Sequence, residues 1–585
     1  MTDVLGISAF FHDSAACLVR DGRVIAAASE ERFSRTKGDA SFPAMAAAWC
    51  LRAGGTTAAA LDAVAYYEKP ILHLDRLLES WLYTAPRGWR AFLTGAPLWA
   101  GGKLNVDGAI RQGLGGYSGR VLWCEHHESH AASAFYPSPF DSAAVLTIDG
   151  VGEWPTASMG RGDGAALQLT HEQKYPDSLG LLYSAFTYHA GFRVNSGEYK
   201  LMGLAPYGTP RFSNTILSHL VDLRDDGSFR LHMAPFGFLD GLRMTNAAFD
   251  ALFEGPPRMP ESPITQREMD MAASVQVVTE QIVQRMAATA VREAGVRDLC
   301  LAGGVALNAV ANGTLRRAGI VNRLWVQPAA GDAGGALGAA LLAWHRYFGG
   351  DRAPTQQQDG MQGALLGPAY NADEISAALR AHGAVVQHLG REGVVDRTAE
   401  WLAAGRIVGW FDGRMEFGPR ALGARSILAD PRPADMQARL NAHIKLREGF
   451  RPFAPAVLAE CADDWFVGAT DSPYMLQVVP VRTDVPPLPA ITHRDGSARV
   501  QTVTKERASG LHAVLQAFAA RTDCPVLVNT SFNIRGEPVV LTPADAYACL
   551  MRTEIDALAI PPYFVVRADQ LTLGDARWNT PLALD

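Results

Sequence analysis

In 585 residues this chain has only seven cysteines, at positions 17, 50, 124, 300, 461, 524 and 549. They are odd in number, scattered and never spaced as C-x-x-C, which excludes a disulfide framework and fits a reducing cytoplasm with mostly buried thiols. Positive charge is not in excess either. Lys and Arg total 53 against 60 Asp and Glu, a net charge of −7, so no surface is built to coat nucleic acid, although a local basic pocket stays open. Long apolar runs are missing: the longest, Ala333–Trp344, is about twelve residues, glycine-rich and too short to span a bilayer. The start, "MTDVLGISAF", lacks the basic and apolar regions of a signal peptide. These absences predict a soluble cytoplasmic protein without a nucleic-acid or membrane partner. The zinc-protease pattern H-E-x-x-H fails too, because residues 125–135 read "EHHESHAASAF".

What is present is an ordinary globular composition, 48% apolar and 19% charged. The length is too great for one core and predicts two or three domains. Two stretches of about thirty residues share one pattern. The first, "VLGISAFFHDSAACLVRDGRVIAAASEER", reads strand, small-residue turn, strand, Asp21-Gly22 hairpin, strand. The second, "AAVLTIDGVGEWPTASMGRGDGAALQLTHEQ", repeats it with a hairpin at Asp163-Gly164. His12 and Asp149 each stand near the tip of the first turn, and the pair of stretches reads as an internal duplication. Helical spacing over 266–295 ends in glycine. The strand "DLCLAGG" then feeds "VALNAVANG", and the strand "RLWVQP" feeds "AAGDAGG" and the helix "ALGAALLAWHRYFG". This is α/β architecture, with sites expected at strand ends. The polar stretch 351–368 reads as a linker between a domain at 1–350 and a second α/β domain at 369–585.

Taken singly, the glycine turns are ordinary α/β packing. In combination, turns at helix N-termini can cradle a nucleotide through backbone N–H groups and helix dipoles. Asp149 and Asp332 sit on such turns, where a carboxylate can hold a metal beside phosphates. His126 and His130, one helical turn apart, either grip one ion or pack as two helix histidines. The stretch alone leaves both open.

The order of "FHDSAA", "HHESHAASAF", "TIDGVGEW", "GEYKLMGLAPYG", "AGGVALN" and "GDAGGALGAA" resembles the nodulation and antibiotic O-carbamoyltransferase family. Its N-terminal domain is similar to the actin-like ATPase (ASKHA) fold of the tRNA threonylcarbamoyl transferases. "FGPRALGARSILADP", "IKLREGFRPFAPAVL" and "VLVNTSFNIRGEPVV" resemble that family's YrdC-like C-terminal domain, and the likeness spans nearly the whole chain. It implies two active sites. In the YrdC-like domain, carbamoyl phosphate and Mg-ATP would give carbamoyl-adenylate, releasing phosphate and pyrophosphate. In the actin-like domain the carbamoyl group would pass to a hydroxyl of a small natural-product acceptor, with AMP leaving. The family's metal, iron(II), maps onto His126, His130, Asp149 and Asp332. That mixed N/O set suits manganese or zinc as well.

Around that centre, His12 is the nominated base at neutral pH, with Lys200 for phosphate oxygens and Gly303, Gly304 and Asn308 for the adenosine. His127 and Glu128 read as structural. The C-terminal site draws on Arg420, Arg425, Lys445, Arg447, Arg451, Arg499 and Arg535, with Ser426, Asn529, Ser531 and Asn533 as neutral donors, because guanidinium forks on turns bind phosphate bidentately. Where family members often carry Asn, this chain has Ala424, which weakens a role for that side chain alone. A homodimer is compatible with this reading. Two rivals stand beside it: a kinase or ATPase on the same fold, and a tRNA-modification or nucleotide-responsive binding subunit. An acceptor pocket is expected from 68–118 and 209–262, whose apolar residues suit a macrocyclic or polyketide hydroxyl better than a bare aminoglycoside.

Overall fold

Each Asp-Gly pair closes a hairpin. In the computed structural model, which describes residues 1–99, 104–352, 359–469 and 471–570, Asp21 and Gly22 both have positive φ (47° and 77°), as a tight two-residue turn requires. They join β2 (Ala15–Arg20) to β3 (Arg23–Ser29), and β1 (Asp3–Ser8) pairs antiparallel with β2. β4 (Ala63–Tyr66) and β5 (Val121–Trp123) extend the sheet in parallel on the other side of β1, giving the order β3-β2-β1-β4-β5.

The second stretch builds the same object again. β6 (Ser142–Ile148), β7 (Pro155–Asp163) and β8 (Ala166–Lys174) form the antiparallel meander. β9 (Asp298–Ala302) and β10 (Arg323–Val326) add in parallel beside β6, so the order is β10-β9-β6-β7-β8. Position by position the two sheets have one topology. β1 is buried along its whole length and β6 nearly so, as strands covered on both faces must be.

Four helices matter for the site: α1 (His126–Phe135), α2 (Gln266–Ala294), α3 (Ala309–Arg317) and α4 (Asp332–Leu342). α2 opens on a Thr265/Glu268 capping box and ends at Gly295 with φ 67°, a left-handed cap glycine accepts without strain. The run "DAGGALGAALL" of α4 is a packing stripe. A Cβ at Gly338 would collide with the Ser129 carbonyl of α1, and one at Gly6 of β1 with the Ala336 carbonyl of α4. Small residues therefore let α4 lie backbone-close to both α1 and β1.

Two compact units result: Met1–Glu30 with Gly38–Gly360, and Glu31–Lys37 with the chain from Met361 onward. Residues 353–358 of the expected linker lie outside the described residues, as do 571–585. The second unit holds one eight-stranded mixed sheet. Its strands are β11 (Gln387–His388), β12 (Val408–Phe411), β13 (Arg425–Ala429), β14 (Ala454–Leu458), β15 (Gln501–Val503), β16 (Val526–Ser531), β17 (Ala557–Ile560) and β18 (Tyr563–Val566). They run in the order β11-β18-β17-β12-β13-β16-β14-β15. Trp410, Phe466 and Phe518 anchor its core. Both units are α/β. Among the described residues no helix is long and apolar enough to cross a membrane.

Candidate functional site

α1 begins where Glu125 and Glu128 cap each other's backbone N–H groups, which fixes its first turn. His126 is its first residue and His130 stands one turn later on the same face. Asp149 follows the end of β6 and Asp332 opens α4. Together these four residues offer one ligand atom each, all within 4.8 Å of one another.

His126 Nε2 lies 2.9 Å from Asp149 Oδ2 and His130 Nε2 lies 3.3 Å from it. The two Nε2 atoms are 3.0 Å apart, and each is 3.7 Å from Asp332 Oδ1. If both imidazoles donate to Asp149, two N–H groups confront each other at that separation. A single divalent cation would replace both protons and satisfy all four groups, so the donor set fits a metal. Asp332 Oδ2 is buried with no hydrogen-bond partner, and the nearby cation is His12, whose Nε2 is 3.7 Å away.

Electrostatics follow the same geometry. Burial works against ionisation of Asp149, but hydrogen bonds from His126 and His130 hold it well below the usual carboxylate range. Asp332 is pushed up by burial, and the charge of Asp149 adds to this. Burial lowers His126, yet Asp149 and Asp332 outweigh it and bring the imidazole to about 9. His12 goes the same way, to about 10: burial lowers it, while Asp332, Asp13 and Asp149 raise it. Hence the carboxylates of Asp332, Asp13 and Asp149 favour the charged form of His12. The nominated base becomes one only when that charge is offset.

Several neighbours have clear duties. His127 turns to Thr147, Nδ1 to Oγ1 at 2.7 Å, and stays outside the four-residue set. Glu153, which sequence reading did not single out, accepts from the His126 N–H with both oxygens at 3.0 Å and from the Lys69 N–H at 2.8 Å. Its signal was visible: an acid in "DGVGEW", four residues beyond Asp149. Tyr67 sets its ring edgewise on His126, with centroids 5.3 Å apart.

The expected adenosine residues sit differently from the reading that picked them. The Gly304 N–H donates to Asp149 Oδ1 at 3.0 Å. Gly303, at φ 90°, leaves no room for a Cβ beside the Ile148 carbonyl. This pair therefore seats Asp149. Asn308 caps α3, accepting from the Ala311 N–H at 3.1 Å and donating to Gln276 at 3.0 Å. Lys200 is buried, its Nζ 5.8 Å from the Phe192 ring centroid.

In the second unit most of the expected cations do converge. Arg499 is pushed well below its ordinary value by burial and by the charges of Arg420, Arg447 and Arg451. Lys445 is lowered by burial and by Arg447 and Arg451. Its ammonium donates to the Ser531 carbonyl, to Asn533 Oδ1 at 3.0 Å and to the Asn533 carbonyl at 3.1 Å. Glu448 pairs with Arg451 at 3.4 Å. Ser426 Oγ, Asn529 Oδ1 and Arg499 Nε are buried without a hydrogen-bond partner. Like charges held together in low dielectric repel, and a bound anion would relieve that repulsion.

Arg425 is engaged by its own loop. Its guanidinium donates to the carbonyls of Asp412, Gly413, Ala424 and Pro368 at 3.0–3.2 Å and lies 3.6 Å from the Phe411 ring centroid. Fully buried, it holds the 412–424 loop closed. An arginine on a turn motif can equally well serve the turn itself.

The chain is similar to known proteins over both units. A family model described as the carbamoyltransferase N-terminus matches residues 3–341, and one described as the carbamoyltransferase C-terminus matches residues 399–567. An uncharacterised protein of Synechocystis sp. is 50% identical over 100% of both chains. Nodulation protein NolNO of Sinorhizobium fredii is 39% identical, over 95% of this chain and 79% of its own. The 3'-hydroxymethylcephem-O-carbamoyltransferase of Amycolatopsis lactamdurans is 31% identical, over 70% of this chain and 74% of its own.

Proposed function

This chain belongs to the carbamoyltransferase family, and from that premise we propose that it is an ATP-dependent O-carbamoyltransferase working in two half-reactions. Carbamoyl transfer to a hydroxyl is the family's activity. The division of labour is our reading, and one observation carries it: a cation-seeking His/His/Asp/Asp set in one unit and an anion-seeking Arg/Lys cluster in the other.

In this reading the C-terminal unit is the YrdC-like one. Carbamoyl phosphate and ATP bring several phosphates, and Arg420, Lys445, Arg447, Arg451, Arg499 and Arg535 receive them. The mutual repulsion of these cations eases as anions bind. Ser426, Ser531, Asn529 and Asn533 orient the carbamoyl portion. There one water cleaves carbamoyl phosphate to carbamate and phosphate, and the carbamate oxygen then attacks the α-phosphorus of ATP, forming carbamoyl-adenylate as the bond to pyrophosphate breaks. The N-terminal unit, with its repeated sheet order, is the actin-like half and takes the adenylate. A divalent cation held by His126, His130, Asp149 and Asp332, iron(II) with manganese or zinc as alternatives, would supply Lewis-acid polarisation there. With the charge of Asp149 and Asp332 committed, His12 is released from its imidazolium state and takes the proton of the acceptor hydroxyl at Nε2. Asp13, 3.1 Å from His12 Nδ1, holds the other nitrogen. Gly304 and Glu153 keep Asp149 and His126 aligned throughout. AMP leaves and the O-carbamate departs. The acceptor is a hydroxylated small molecule.

The decisive experiment measures AMP and pyrophosphate from ATP with and without carbamoyl phosphate. Release of both, dependent on carbamoyl phosphate, is expected. Formation of ADP would mean a kinase, and no turnover a binding subunit. A screen of hydroxylated natural products, read by the mass gain of one carbamoyl group, then finds the acceptor.

A further inference from the structure

The C-terminal unit contains a segment that does not come from the C-terminal part of the chain. Residues 31–37 leave the first sheet directly after β3 and cluster with the second unit. The family boundaries place these residues with the N-terminal portion, so nothing about their sequence position suggests a duty at an anion site.

Their contacts are specific. Arg35 Nη1 donates to the Val539 carbonyl at 2.7 Å and Nη2 to the Pro538 carbonyl at 2.9 Å, and its Nε lies 3.9 Å from Asp545. Arg32 Nη2 donates to the Gly418 carbonyl at 3.2 Å. Phe33 packs on a small buried cluster of Met415, Val539 and Leu541. These contacts fall on two loops. One, 412–424, carries Arg420 two residues after Gly418. The other, 531–541, carries Ser531, Asn533 and Arg535, and is tied to itself by Asn533 Nδ2 donating to the Glu537 carbonyl at 2.7 Å. One short segment thus grips two of the loops that present the cluster's donors. The charge of Lys37, at the end of the segment, also reaches Lys445.

We propose that residues 31–37 are a clamp that positions these two anion-binding loops of the C-terminal unit, with Arg35 and Arg32 as its positioning residues. The inference rests on the reading of that cluster as the phosphate-binding site. Arg35 touches no reacting atom. Its planar fork spans two successive carbonyls, which a lysine cannot do, and so sets where Asn533 and Arg535 stand. Loops displaced by even an ångström bind and orient a substrate poorly.

The test compares Arg35→Ala, Arg35→Lys, Lys37→Ala and Arg451→Ala in the full chain. The readouts are inorganic phosphate affinity by calorimetry, the KM for carbamoyl phosphate in pyrophosphate release, and metal content. Arg35→Ala is expected to weaken phosphate binding and raise that KM about 10-fold, with kcat less affected and metal content unchanged. Arg35→Lys should fall between it and the parent. Lys37→Ala changes an exposed side chain and keeps the test informative should Arg35→Ala misfold; it should weaken phosphate binding and leave the fold intact. If Arg451→Ala loses phosphate binding while the Arg35 and Lys37 variants keep it, the clamp is overturned. If Arg451→Ala binds phosphate like the parent, the reading of the cluster fails instead.

Discussion

In the N-terminal unit two imidazoles and two carboxylates converge, whereas in the C-terminal unit guanidiniums and an ammonium do. The first group is nearly self-neutralising: His126 and His130 both stand within hydrogen-bond distance of the Asp149 carboxylate. The second gathers charge mainly of one sign: Arg420, Arg447 and Arg451 act on Arg499, and Arg447 and Arg451 on Lys445, with Glu448 paired to Arg451. His126, His130 and Asp332 are buried, as are Lys445 and Arg451, whereas Arg420, Arg447 and Arg499 are half-buried; low dielectric enlarges the effects where burial is deepest. Buried charge of mixed sign therefore points to a metal, and buried charge of one sign to an anionic ligand.

The sharpest way to separate the two is to remove a ligand atom from one. His130→Ala should abolish carbamoyl transfer, by more than the roughly 100-fold typical of a lost outer partner of a metal ligand. Pyrophosphate release dependent on carbamoyl phosphate should survive. If both half-reactions fail in a folded protein, the contrast between the units is wrong.

A smaller effect concerns pH. His126 is raised from 6.5 to about 9 by Asp149 and Asp332 against the effect of burial, so its charged pairing with the carboxylates stabilises the fold fully below about pH 6.5 and is lost as pH rises through about 9. Chelated protein should therefore lose thermal stability between pH 7 and 10. Metal-loaded protein, whose ion replaces those protons, should show a flatter profile and metal affinity that rises with pH. Parallel melting profiles for the two forms would remove the four residues as a metal centre.

The smallest expected effect tests Asn308. As a helix cap it should cost about 1 kcal/mol when changed to alanine, seen as a lower Tm, with the KM for ATP unchanged. A raised KM with an unchanged Tm would restore it to the nucleotide.

Legibility in the sequence differed by kind of feature. The meanders were readable because alternation and an Asp-Gly pair act locally, and α2 because its cap, period and terminal glycine all agree. Arg425 and Asn308 were not, since an arginine or asparagine on a turn looks the same whether it faces a ligand or the turn's own carbonyls. Glu153 was overlooked for a similar reason: its partners, His126 and Lys69, are 27 and 84 residues away. The role of segment 31–37 had no local signal at all, because chain order assigns it to the wrong unit.

By itself the sequence determined the α/β class, the repeated hairpins and the residue types able to hold a cation or an anion, because each depends on short-range pattern and side-chain chemistry. Tertiary structure alone decided which of those residues meet. Only a glycine stripe that lets α4 lie against α1 could bring Asp332 within 3.7 Å of His126 and His130. Only the docking of Arg35 on Pro538 and Val539 joined an N-terminal segment to the C-terminal cluster. Proximity across hundreds of residues is set by packing, and no local pattern records it.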